Sequence, residues 1–213
     1  MPRIKIYNIL ESVTPLRRHS YTSVIPLGVS RTADSHSIGQ LYDIHTMSPP
    51  PILPTTMQAW QKPPSETPTK PVRNSVPVPS PGRSEVLLRI LAAGVCHSDS
   101  LILESPSPPD LHKEPFTLGH EGCGEVIALG SNVNPAMVSI GQRVAIFAVP
   151  GCRENDCREC GKGLQRLCQK LGMYGLQQPG FFAPYVAVKD WAVVPVPDGE
   201  STDVAVGIRA DRL

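Results

Sequence analysis

Four cysteines crowd one short stretch in the spacing Cys152-x4-Cys157-x2-Cys160-x7-Cys168. Thiolates are strong ligands for zinc, and four at short spacings match a closed tetrahedral structural site. Disulfide pairing is the alternative for such crowding in a small secreted chain. Residues 1–30 hold no apolar core followed by a small-residue cleavage site, so a reducing compartment and metal ligation fit better. A metal there would pin a loop with too few apolar residues to pack by itself, and its binding energy would count as folding energy.

Two further clusters lie upstream. In Gly94-Val95-Cys96-His97-Ser98-Asp99, Cys96 follows an apolar strand pattern and can offer a thiolate, Ser98 can pass a proton, and Asp99 can orient a ligand from behind. In Gly119-His120-Glu121-Gly122-Cys123-Gly124, His120 is a natural zinc ligand once a partner fixes its tautomer. Glu121 can bind the metal or support it, and the glycines let the backbone aim two adjacent polar side chains. Each cluster has an ordinary reading, a core cysteine or a chance His-Glu pair. Cys123, without an obvious partner, reads as packing.

Short strands must position these groups. An apolar, partly β-branched run over 85–95 follows the turn signal Pro81-Gly82 and leads into Cys96. Further strands are expected over 125–130, 142–149, 181–188 and 191–196. Helix is minor, the best candidate being 161–171, with weak apolar spacing at Leu164, Leu167, Cys168 and Leu171. Strands punctuated by Gly and Pro predict a mainly β fold, a small barrel or sandwich. The prolines between Pro49 and Pro81 exclude a regular helix there and keep that stretch out of central strands.

Net charge is +1, which gives no electrostatic grip on nucleic acid or an anionic membrane. The cysteine loop has no paired histidines at finger spacing, which further excludes a zinc-finger nucleic-acid binder. No apolar run is long enough for a transmembrane helix. Residues 1–56 lack periodicity, are basic and poor in acids, and read as a disordered or spurious extension, or else a mitochondrial transit peptide on an otherwise cytoplasmic protein. No G-x-G-x-x-G turn occurs, so the phosphate-cradling signal of a dinucleotide site is absent from the sequence.

Together the three clusters resemble the zinc-dependent medium-chain alcohol dehydrogenases. Gly119-His120-Glu121-x2-Gly124-x5-Gly130-x2-Val133 matches that family's zinc signature, Gly94 to Asp99 is close to its first-ligand motif, and Gly141-Gln142-Arg143-Val144 is similar to a barrel strand of the family. The resemblance implies a GroES-like β-barrel over 57–206, with 207–213 as a truncated tail and the Rossmann domain absent. It implies a catalytic zinc on Cys96 and His120, with Glu121 able to swing onto it, Asp99 behind it, and a further ligand from the missing domain. Ser98 would receive the alcohol proton and His97 would extend the relay or touch the cofactor. The implied activity is oxidation of an alcohol to an aldehyde or ketone with NAD or NADP, lost in a chain without the cofactor domain. The alternative is a non-enzymatic zinc-binding module, a partner subunit or homo-oligomer associating through the exposed domain face.

One departure stands out. The family's structural site has two residues between its first and second cysteines, and here the position of that first cysteine falls on Glu154. Either the loop bulges so that Cys152 reaches the site, or Glu154 or Asp156 supplies oxygen. The softer thiolate favours Cys152.

Overall fold

The computed structural model describes residues 52–65, 69–106 and 115–200. The described residues from Pro54 onward belong to one compact unit. Eight strands and one α-helix make it: β1 (Thr56–Lys62), β2 (Val72–Pro77), β3 (Glu85–Gly94), α1 (His97–Glu104), β4 (Phe116–Thr117), β5 (Glu121–Leu129), β6 (Arg143–Ile146), β7 (Tyr185–Lys189) and β8 (Val193–Pro195). The strands form a three-stranded sheet in the order β2-β1-β4 and a five-stranded sheet in the order β7-β3-β5-β6-β8, antiparallel throughout. The fold is mostly strand with little helix, the mainly β class expected. No doubly wound parallel sheet occurs among the described residues.

β3 carries the five-stranded sheet. Its apolar run is buried on both faces, as a central strand requires, with Val86, Leu88 and Ile90 in the main core. Val126, Val144, Phe181, Val186 and Val188 join them there. Each such side chain contributes roughly 1.5–3 kcal/mol on burial. The pairing of β3 with β5 slips twice, between Leu87 and Leu88 and between Ile90 and Ala92. These irregularities bend the pair and set its final register, Gly94 opposite Glu121. The end of β3 and the start of β5 therefore lie side by side, which delivers Cys96 and His120 to one rim of the sheet.

Several expectations need correction. The helix expected over 161–171 is absent; that stretch holds two 3-10 turns, Cys160–Lys162 and Gln165–Leu167. Its apolar spacing marks no buried face, since Leu164 and Leu167 are exposed. The α-helix lies instead at His97–Glu104, inside the first-ligand motif. The strand expected over 181–188 begins at Tyr185, because Pro184 lacks a donor; Phe181 and Phe182 bond instead to the carbonyls of Gly119 and Leu118. Asp190–Ala192 forms a 3-10 turn before β8. Within the proline-rich stretch β1 and β2 are both present, β1 between prolines and β2 at a sheet edge, where a missing ladder donor is tolerated. The expectations for 1–51 and 201–213 lie outside the described residues. Among the described residues no helix is long and apolar enough to cross a membrane.

Candidate metal centres

The first centre assembles at the rim where β3 ends and β5 begins. Cys96 precedes α1 and His120 precedes β5. Cys96 Sγ lies 2.9 Å from His120 Nε2, and Ser98 Oγ is 2.6 Å from the sulfur and 3.1 Å from the same nitrogen. One ligand atom from each of Cys96, His120 and Glu121 falls within 4.8 Å of the others. The donor set fits zinc: one thiolate, one imidazole and one carboxylate. The sulfur–nitrogen separation is shorter than the ~3.6 Å that zinc bond lengths imply for a tetrahedral pair, so the two side chains must part slightly to admit an ion.

Asp99 organises this centre from behind. It is buried, its Oδ2 accepts the backbone N–H of Cys96 at 3.0 Å, and its Oδ1 stands 3.4 Å from His120 Nδ1. Neither Oδ1 nor Nδ1 has a well-formed hydrogen bond, so the contact is a charge attraction at ion-pair distance. Asp99 raises the pKa of His120 against the opposing pull of burial, with Glu121 adding to the rise. A proton held at Nδ1 leaves the Nε2 lone pair facing Cys96, the tautomer a metal needs. Asp99→Asn keeps an acceptor for Cys96 but removes the charge. We expect it to weaken metal binding at this centre by ~10–100-fold, read by metal competition, and leave the cysteine lobe untouched. Unchanged affinity would refute the positioning role.

The glycines around His120 have two different reasons. Gly119 has φ +93, and a Cβ there would strike the Phe182 ring. Gly122 is needed for space, since a Cβ would lie 2.8 Å from the Phe181 ring. His97, expected to act in a proton relay, sits exposed at the start of α1 and takes no part in the cluster. Cys123 is fully buried in β5 against Ala92 and Val196, and burial pushes its thiol up to about 11, which leaves it inert.

The second centre is the lobe spanning 151–170. All four of its cysteines are free thiols, each with its sulfur within 4.8 Å of the others. Cys152 and Cys160 sulfurs are 3.8 Å apart, and Cys157 and Cys168 sulfurs 3.9 Å. A tetrahedron with zinc–sulfur bonds of ~2.3 Å has edges of ~3.8 Å, whereas a disulfide requires ~2.05 Å. The spacing therefore fits a shared ion. Burial opposes ionisation of Cys168, but backbone N–H groups of Leu171, Cys152 and Lys170 outweigh it and bring that thiol down to about 6. Cys152 reaches the cluster through a backbone bulge in which Arg153 takes φ +56, a conformation costing a non-glycine residue roughly 1–2 kcal/mol. Glu154 and Asp156 turn instead to Lys170, at 2.6 and 2.9 Å. The lobe is fastened to the barrel by Trp191, whose Nε1 donates to the Gly151 carbonyl and whose ring lies under Arg153.

Residues 82–198 match the model of the alcohol dehydrogenase GroES-like domain. Among curated proteins, the chain is 33% identical over 118 residues to L-galactonate-5-dehydrogenase of Escherichia coli, covering 55% of this chain and 33% of that one. It is 35% identical over 128 residues to alcohol dehydrogenase 2 of Emericella nidulans, covering 57% and 34%. Among solved structures, acetophenone reductase from Geotrichum candidum, in complex with NAD, superposes with a TM-score of 0.63 at 35% identity, covering 72% of this chain and 44% of that one. The chain spans about a third of the length of the curated relatives it matches. On the GroES-like match and these likenesses, it belongs to the zinc-dependent medium-chain alcohol dehydrogenase family.

Proposed function

We propose that this chain is the metal-holding part of an alcohol dehydrogenase, in which Cys96, His120 and Glu121 hold a catalytic zinc and Cys152, Cys157, Cys160 and Cys168 hold a structural one. The observation that carries the reading is the meeting of Cys96, His120 and Glu121 at one rim although they come from separate motifs. Zinc in such a site supplies Lewis acidity toward an alcohol or carbonyl oxygen, while hydride goes to or from a nicotinamide. The chain's own residues do the rest. Asp99 keeps the His120 ring oriented, and Glu121 offers a further oxygen donor beside it. Ser98 Oγ, close to both donors, is placed to take the substrate hydroxyl proton. The proposed substrate class is an alcohol or the matching carbonyl, in line with relatives named for L-galactonate, L-threonine and acetophenone. Six free thiols favour a reducing compartment such as the cytoplasm.

Elemental analysis of the purified chain, followed by an alcohol panel with NAD and NADP, tests the proposal. We expect two zinc ions per chain, the one at the Cys96 rim stripped first by chelator. The 213-residue chain contains no G-x-G-x-x-G turn, so we expect no alcohol-dependent nicotinamide reduction from it alone. Absence of zinc from both centres would overturn the metal reading, and turnover by the isolated chain would overturn the assignment of cofactor binding elsewhere.

A further inference from the structure

The cysteine lobe departs from its family's spacing at one point, where Glu154 stands in place of the first cysteine. Two registers of the 151–157 segment would supply the fourth donor. In one, Cys152 faces the other three sulfurs. In the other, the chain slides so that Glu154, or its neighbour Asp156, brings a carboxylate oxygen. The structure holds the first register, yet that register contains the strained Arg153. Something must favour it over the relaxed alternative.

Lys170 lies two residues past Cys168 and reaches back across the lobe. Its Nζ contacts Glu154 Oε2 at 2.6 Å and Asp156 Oδ1 at 2.9 Å at once. With both carboxylates drawn outward, the backbone N–H of Glu154 points to Cys152 Sγ at 3.4 Å, and that of Cys152 points to Cys168 Sγ at 3.3 Å. Both N–H groups support charged sulfur, and the first exists only with Cys152 turned inward. Resting on the proposed lobe metal, we infer that Lys170 determines the donor set: by engaging Glu154 and Asp156 it keeps carboxylates off the ion and Cys152 on it. It is a positioning residue, since its ammonium is held by the two carboxylates and not by a sulfur. The consequence is metal selectivity, because an all-sulfur site favours zinc over harder cations and a three-sulfur, one-oxygen site does so less.

The test uses the full chain carrying Cys96→Ser, so that cobalt bound in the lobe alone reports through thiolate charge-transfer absorption. In Lys170→Ala we expect that absorption to fall by about a quarter, one thiolate in four, as an oxygen donor enters. Zinc affinity by competition should weaken about three- to tenfold, the change that two exposed ion pairs can sustain. Lys170→Arg should restore both readings. Adding Glu154→Gln and Asp156→Asn to Lys170→Ala should restore the spectrum, because the competing carboxylates are gone. Glu159, 3.6 Å from Cys157 Sγ, is present in every variant and so cannot produce the difference. Lys170 is 43% exposed, so its truncation leaves no cavity, and Lys170→Gln is a second truncation for the same comparison. Undiminished charge transfer and affinity in both truncations would overturn the inference while the lobe metal stands. No cobalt uptake by the parent lobe would overturn the metal reading itself.

Discussion

Cys157→Ser is expected to empty the cysteine lobe of the zinc proposed for it. Cys157 is 3% exposed and supplies one corner of the four-sulfur cluster, and a serine hydroxyl there is a harder, poorly ionised donor. Removing a group that merely orients a ligand weakens metal binding by ~10–100-fold, so losing a ligand itself should cost more than about 100-fold. The structural effect follows from what else holds the lobe. Of the residues between Gly151 and Lys170 only Cys157 and Cys168 are buried apolar groups, while Leu164 and Leu167 face outward. In a loop without a core the proposed metal would serve as one, and structural zinc in small peptides contributes roughly 10–16 kcal/mol of apparent binding energy at neutral pH. Elemental analysis of Cys157→Ser should show one zinc fewer per chain. Amide hydrogen exchange over 151–170 should approach that of an open loop, with β3 and β5 still protected. A serine variant that kept its lobe zinc through chelation would refute the assignment.

The contrast between lobe and barrel also explains what the sequence made legible. The candidate ligands of both centres were readable because zinc chemistry constrains residue type and spacing directly. Cys96 stands apart in sequence from His120 and Glu121 yet meets them in space, and the apolar run into Cys96 together with the glycines around His120 carried that information. β3 was readable because a strand buried on both faces leaves a nearly continuous apolar run, interrupted within Val86 to Ala93 only by the exposed Arg89. The helix α1 was not: it is short, it starts at a cysteine rather than a usual capping residue, and its Leu101 is exposed, so no periodic apolar face exists to detect. The helix expected at 161–171 failed for the converse reason, since its leucines repeat at near-helical spacing while the backbone is shaped by four cysteines. β1 and β2 were hidden by flanking prolines, which exclude helix but tolerate edges. The competition between Cys152 and Glu154 was visible as a departure from spacing. Its resolution by Lys170 was not, because an ion pair across a loop leaves no periodic trace.

Phe181→Ala should be the most damaging single change in the barrel. The ring is fully buried in the main core and packs beside Tyr174, with ring centroids 5.8 Å apart. It also fills the space that a side chain at Gly122 would need, directly behind Glu121 and one residue further from His120. Truncating a buried Phe to Ala typically costs 3–5 kcal/mol, about 24 cal/mol for each Å³ of cavity that fails to collapse adding to the transfer loss. Collapse is hindered here: the Phe181 backbone N–H is tied to the Gly119 carbonyl at 3.0 Å, and Phe182 is tied to Leu118, so the segment before β7 cannot move inward without pulling the residues next to His120 with it. Domains of this kind have a total stability of about 5–15 kcal/mol, so a loss of about 3–5 kcal/mol is roughly a fifth or more of what holds the fold. A urea titration at fixed zinc should show the midpoint falling by that proportion, and the metal at Cys96, His120 and Glu121 should exchange faster than in the parent. Phe181→Leu, which keeps most of the volume, should recover the greater part of both effects. Were Phe181→Ala to unfold within about 1 kcal/mol of the parent, the rim that carries Cys96 and His120 would owe its rigidity to something other than this aromatic pillar.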